Sequence, residues 1–111
     1  MVIQKSGAIL YDLKAIIDQG YPTMLLIQAW TEDPDTVDWK NDWEDGHWVI
    51  CIGYDDNNLY FEDPSTFYKA YIPIEEFDSR WHDIDGDDET DHFLMYFTGK
   101  QPAGIEYERI L

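Results

Sequence analysis

His47 and Asp63 carry side chains of the types that acid–base chemistry uses. Histidine titrates near neutral pH, so an imidazole can take a proton from a nucleophile and return it to a leaving group. A carboxylate on its other ring nitrogen fixes the tautomer and stabilises the imidazolium. The histidine opens one apolar run, Gly46-His47-Trp48-Val49-Ile50-Cys51-Ile52-Gly53-Tyr54, and the aspartate closes the next, Leu59-Tyr60-Phe61-Glu62-Asp63. Between them stands Asp55-Asp56-Asn57-Asn58, a turn-rich stretch that predicts a β-hairpin. A three-residue turn at 56–58 would pair Asp63 with Cys51 and put it on His47's face of the sheet. A turn of two or four residues would put the two on opposite faces, because side chains alternate along a strand. The plainer alternative makes His47 a strand-entry residue and Asp63 an Asx turn before Pro64.

A nucleophile is harder to find. Cys51, the sole cysteine, lies four residues along His47's own strand. At about 3.3 Å per residue the two Cα atoms are about 13 Å apart, so Cys51 reads as a core residue. A single cysteine also excludes an intramolecular disulfide and a cysteine-rich zinc site. Ser65 follows Asp63-Pro64 but has no nucleophile elbow around it. The acidic stretch 83–91 has the composition of a calcium loop. Registered on Gly86, however, Trp81 and His92 occupy positions that need oxygen ligands. His82 and His92 flank that stretch without a third ligand at zinc spacing, so no metal or cofactor is expected.

The elements that must position His47 and Asp63 follow from periodicity. Ser6 can cap a helix over 7–19, with Ile9, Leu10, Leu13, Ile16 and Ile17 at helical spacing and Gly20 and Pro22 beyond its end. The apolar run 23–29 predicts a strand buried on both faces. Residues 30–45 form a long loop, whose Trp39 and Trp43 are expected to pin it to the core rather than stack on a ligand. Strands at 47–54, 59–63 and 68–72, a short helix at 74–81, an acidic loop at 83–91 and a strand at 93–98 complete the pattern, and the tail after Gly99 is weakly patterned. A helix followed by a mainly antiparallel sheet is an α+β arrangement, here one domain over 1–111.

Composition bounds the partners. The 111 residues are 44% apolar and 16% aromatic, enough to build a core. Seven basic against 24 acidic residues give a net charge of −17, which repels phosphate and argues against nucleic acid and anionic membranes. No apolar run approaches the roughly 20 residues of a bilayer span, and 1–7 lacks the features of a signal peptide. A cytoplasmic location is the default expectation.

The ordered motifs resemble the second half of C39-like cysteine peptidases, the papain-like, bacteriocin-processing type. There a Gly-His opens an apolar strand that ends in Gly-Tyr-Asp, as at Gly46-His47 and Gly53-Tyr54-Asp55, and an Asp-Pro closes the next, as at Asp63-Pro64. The stretch 13–26 around Gly20-Tyr21-Pro22 is similar to the family's helix, turn and buried strand. Tyr71-Ile72-Pro73 with Glu75-Glu76-Phe77 and Trp81 is similar to its late strand and helix. The resemblance covers about 10–98. It implies that His47 is the general base and Asp63 its orienting residue. It also implies a cysteine at a helix start in an amino-terminal half, with a glutamine just before it. Gln28, inside a buried run, does not occupy that place. The chain is thus expected to be a half-domain, inactive alone, with an amino-terminal half or partner chain supplying the cysteine against a peptide or protein substrate. The alternative is a non-catalytic peptide- or protein-binding module whose acidic surface meets a basic partner. Because the halves of such a fold pack on each other, the face of His47, Val49 and Cys51 is expected to be exposed here, covered by a homodimer or by Trp39 and Trp43.

Overall fold

The computed structural model describes residues 1–66, 68–85, 87–99 and 109–111. The tail after Gly99 therefore lies largely outside the described residues. A six-stranded sheet is built from β1 (Val2–Lys5), β2 (Thr23–Gln28), β3 (Gly46–Tyr54), β4 (Asn58–Glu62), β5 (Lys69–Pro73) and a last strand, Leu94–Phe97. Two helices, α1 (Leu10–Asp18) and α2 (Ile74–Arg80), accompany it, and β6 (His82–Asp85) and β7 (Asp88–Asp91) form a separate ribbon, making Leu94–Phe97 β8. The order is β1-β8-β2-β3-β4-β5, with every neighbouring pair antiparallel. The fold is α+β.

β2 lies inside the sheet, between β8 and β3, and five of its six residues are buried, as a continuous apolar run requires. On one face of the sheet Leu25, Ile27, Val49, Cys51, Leu59 and Phe61 form a single core with Leu13 and Ile16 of α1. Pro73 starts α2 without needing a backbone N–H, and Phe77 then lies between Phe61 and Trp81, with ring centroids 6.3 and 5.0 Å away. Val49 and Cys51 are therefore buried within the chain, 4% and 0% exposed. This corrects the expectation that their face would stand open, because α1 covers it.

Three local departures have physical causes. α1 begins at Leu10 rather than at 7, because the Gly7 and Ala8 N–H groups donate to the Asp91 and His92 carbonyls. Gly7 reaches that path at φ +69°, and Asp12 rather than Ser6 accepts from the first turn, taking the Ile9 N–H at 3.0 Å. β1 was not predicted; as an edge strand with no fully buried residue it carries no clear alternation. The acidic 83–91 segment is not a loop but the β6–β7 ribbon, registered His82↔Asp91 through Asp85↔Asp88, with Gly86 outside the described residues. No helix among the described residues is long and apolar enough to cross a membrane.

Candidate functional site

A one-residue irregularity decides whether His47 and Asp63 meet. Tyr54 pairs with Leu59, so the turn spans the four residues 55–58, not three. Asp55 builds it, accepting the Asn57 and Asn58 N–H groups at 2.9 and 2.8 Å. Such a turn in a regular ladder would set Asp63 opposite Ile50, on the wrong face. Instead the register shifts between Cys51 and Gly53, a bulge at Ile52, so that Cys51 pairs with Phe61 and Ile50 with Glu62. Continued by one residue, Asp63 comes opposite Val49, which shares His47's face. The bulge corrects the parity that the turn would have spoiled.

The pair then closes. His47 Nε2–H donates to Asp63 Oδ1 at 2.7 Å. The same oxygen accepts the Ser65 N–H and the Ser65 hydroxyl, both at 2.8 Å, while Oδ2 accepts the Trp30 indole N–H at 2.6 Å. Burial alone would push the Asp63 carboxyl up, but the donors from Ser65, His47 and Trp30 outweigh it and hold the group down to about 2. Asp63 is thus an ionised acceptor throughout the neutral range. With Nε2–H committed to it, His47 keeps the lone pair of Nδ1, for which no partner stands among the described residues. The ring is one-fifth exposed, so this basic nitrogen is open to an incoming group.

Other candidates drop out on geometry. Ser65 Oγ is 3.4 Å from His47 Nε2, the nitrogen that already carries a proton, and its hydroxyl donates to the orienting carboxylate instead. Cys51 is fully buried, with its thiol pushed up to about 12 by burial and lying 3.7 Å from the Gly53 carbonyl. A thiol in that setting does not form the thiolate that attacks carbonyls. Gln28 is equally committed. Its Nε2 donates to the His82 carbonyl and to Asp83 Oδ1, both at 3.0 Å, and its Oε1 accepts the Asp45 N–H at 2.7 Å.

This Gln28 knot holds the 30–45 loop and the β6–β7 ribbon to the end of the sheet where His47 stands, since Gln28 pairs with Gly46. A Cβ on Gly46 would overlap the Asp83 carboxylate. Gly46→Ala is therefore expected to displace Asp83 from Gln28 and to cost about 1–3 kcal/mol of stability in urea titrations. Trp39 and Trp43 add further anchors to the loop. The Arg80 guanidinium lies 3.9 Å from the Trp39 ring centroid, and the Trp43 and His82 rings are 4.4 Å apart. His92 stacks on Trp81 at 4.6 Å and donates from Nδ1 to the Ala8 carbonyl. Among the described residues no group of three or more histidine, cysteine or acidic side chains is placed to hold a metal ion.

Trp30 is the site residue that sequence reasoning missed. Nothing in its neighbourhood pattern marks it; only the antiparallel pairing of β2 with β3, which delivers the end of β2 beside His47, would have brought it into view.

Comparison with known proteins bears on the family and the fold. The Peptidase_C39-like family matches residues 2–88. A crystal structure from Bacillus anthracis, of a protein described as a C39-like peptidase, superposes with a TM-score of 0.60 at 20% identity. The match covers 90% of this chain and 52% of that one, so the chain spans about half the length of its solved relative. No curated protein matches it significantly in sequence.

Proposed function

The chain belongs to the Peptidase_C39-like family, and we propose that it supplies the base and the orienting carboxylate of a cysteine peptidase site whose nucleophile comes from outside these 111 residues. The observation that carries this reading is the 2.7 Å bond between His47 Nε2 and a buried, ionised Asp63. It leaves Nδ1 as the proton acceptor. In the completed site a cysteine thiol gives its proton to Nδ1, and Asp63 stabilises the resulting imidazolium. The thiolate attacks the peptide carbonyl, and the amine leaves with the proton that His47 returns. Water, deprotonated by the same nitrogen, then hydrolyses the thioester and frees the thiol.

The 111 residues alone are expected to show no turnover of a fluorogenic peptide, with or without a thiol-directed inactivator. Inactivator-sensitive turnover that disappears in His47→Ala would overturn the assignment of the nucleophile elsewhere.

The net charge of −17 favours a second reading, in which the module binds a basic peptide or protein without cleaving it. A complex with such a partner that weakens steeply as salt is raised, with no product formed, would support it over the first.

A further inference from the structure

We propose that Trp30 is a positioning residue, whose indole N–H fixes the plane of the Asp63 carboxylate and so the tautomer and aim of His47. The inference rests on the catalytic reading of that pair. Two independent features single Trp30 out. Its backbone stands at φ +58°, a left-handed conformation that is strained for a residue with a Cβ. That turn, immediately after β2, swings the indole over the end of the sheet onto Asp63 rather than out with the 30–45 loop. The second feature is the bond itself. Three donors crowd Asp63 Oδ1 (the Ser65 N–H, the Ser65 hydroxyl and His47 Nε2), whereas Oδ2 takes the Trp30 N–H at 2.6 Å and no other recorded donor among the described residues.

A carboxylate gripped at one oxygen can still rotate about its Cβ–Cγ bond. Gripped at both, it cannot turn without losing a bond, and Asp63 is 6% exposed, so water does not readily replace one. The aromatic body of Trp30 is 59% exposed, so packing alone does not explain its backbone strain. A ring present only to fill space would be replaceable by phenylalanine. A residue present for its N–H would not.

The test uses the whole chain and its Trp30→Phe and Trp30→Gly variants. Asp63 is followed by ¹³C carboxyl titration, and His47 by long-range ¹H–¹⁵N spectra of its ring. In both variants the proton affinity of Asp63 is expected to rise about tenfold or more, the effect of losing one hydrogen bond to a charged group. The His47 Nε2–H is expected to exchange faster with water. Trp30→Gly relieves the left-handed strain, so it keeps the test informative should Trp30→Phe fold poorly. Unchanged Asp63 titration and His47 spectra in a folded variant would overturn the inference. Shifted spectra in a chain that never yields turnover, even with a cysteine-bearing half supplied, would keep Trp30 as the orienting group of the pair and remove the catalytic reading instead.

Discussion

Joined to a cysteine-bearing amino-terminal half, the chain is expected to gain peptide turnover that His47→Ala lowers by about 10⁴-fold or more. The size of the effect follows from the number of steps that pass through one nitrogen. Nδ1 takes the thiol proton, gives it to the leaving amine and then activates water, so no step of the cycle is spared. Asp63→Ala should fall in the same range, because it removes both the tautomer lock and the counter-charge of the imidazolium. Asp63→Asn should cost less, since the amide oxygen can still accept from Nε2–H, as asparagine does in papain-like sites. Ser65→Ala is the discriminating control. Its hydroxyl is bonded to Asp63 at 2.8 Å and meets only the protonated nitrogen of His47, so turnover should stay within about threefold. Loss of turnover in Ser65→Ala with retention after thiol inactivation would instead mark a serine hydrolase.

The contrast between Ser65 and the expected cysteine shows how the hairpin sorts roles. The loop after β4 turns back at Pro64, which brings the Ser65 backbone N–H to the Oδ1 side of the carboxylate, a bond that Ser65→Ala keeps. The Ser65 hydroxyl lies 3.4 Å from the protonated Nε2 of His47, not at Nδ1. Under the proposed function, a base and orienting residue held in this way still need a nucleophile delivered to the open nitrogen. The chain spans about half the length of its solved relative.

How much of this was legible in the sequence depended on where the information lay. Thr23–Gln28 is a buried strand and Gly46–Tyr54 a half-buried one because their apolar content leaves few alternatives, and their ends are readable to within a residue or two. The meeting of His47 with Asp63 was only permitted, because it depends on parity. A four-residue turn and a bulge each flip that parity, and the two cancel; a bulge at Ile52 leaves no signature in residue type. β1, an exposed edge strand, and the acid-rich β6–β7 ribbon escape sequence patterns because both are held by backbone pairing rather than by an apolar face. The burial of Val49 and Cys51 was misjudged for a different reason. The family resemblance implies that another half of the fold covers this face, whereas Leu13 and Ile16 of α1 already supply the apolar surface that does so. Trp30 could not be found by pattern at all, since its contact with Asp63 spans 33 residues and rests on a backbone angle that periodicity does not encode.

The acid limb of the stability curve offers the second large effect. Asp63→Ala is expected to cost about 3 kcal/mol at pH 7, because it leaves the Ser65 N–H and the partly buried His47 and Trp30 donors without their acceptor. The sign of the pH dependence follows from the depressed carboxyl. Asp63 titrates at about 2 in the folded chain and near 3.9 when unfolded. Its ionised form therefore contributes about 2 kcal/mol of stability that is complete above about pH 4 and fades as pH falls toward 2. Urea titrations of the parent and of Asp63→Ala should accordingly converge at the acid end and separate at neutral pH. Comparing the two proteins matters here, because acidification also carries the net charge from −17 at neutral pH through zero and so changes self-repulsion in both alike. The difference between them isolates the one buried carboxylate. A gap that stays constant from pH 2 to pH 7 would mean that Asp63 is not held as a hydrogen-bonded anion, and the 2.7 Å contact with His47 would then lose its electrostatic basis.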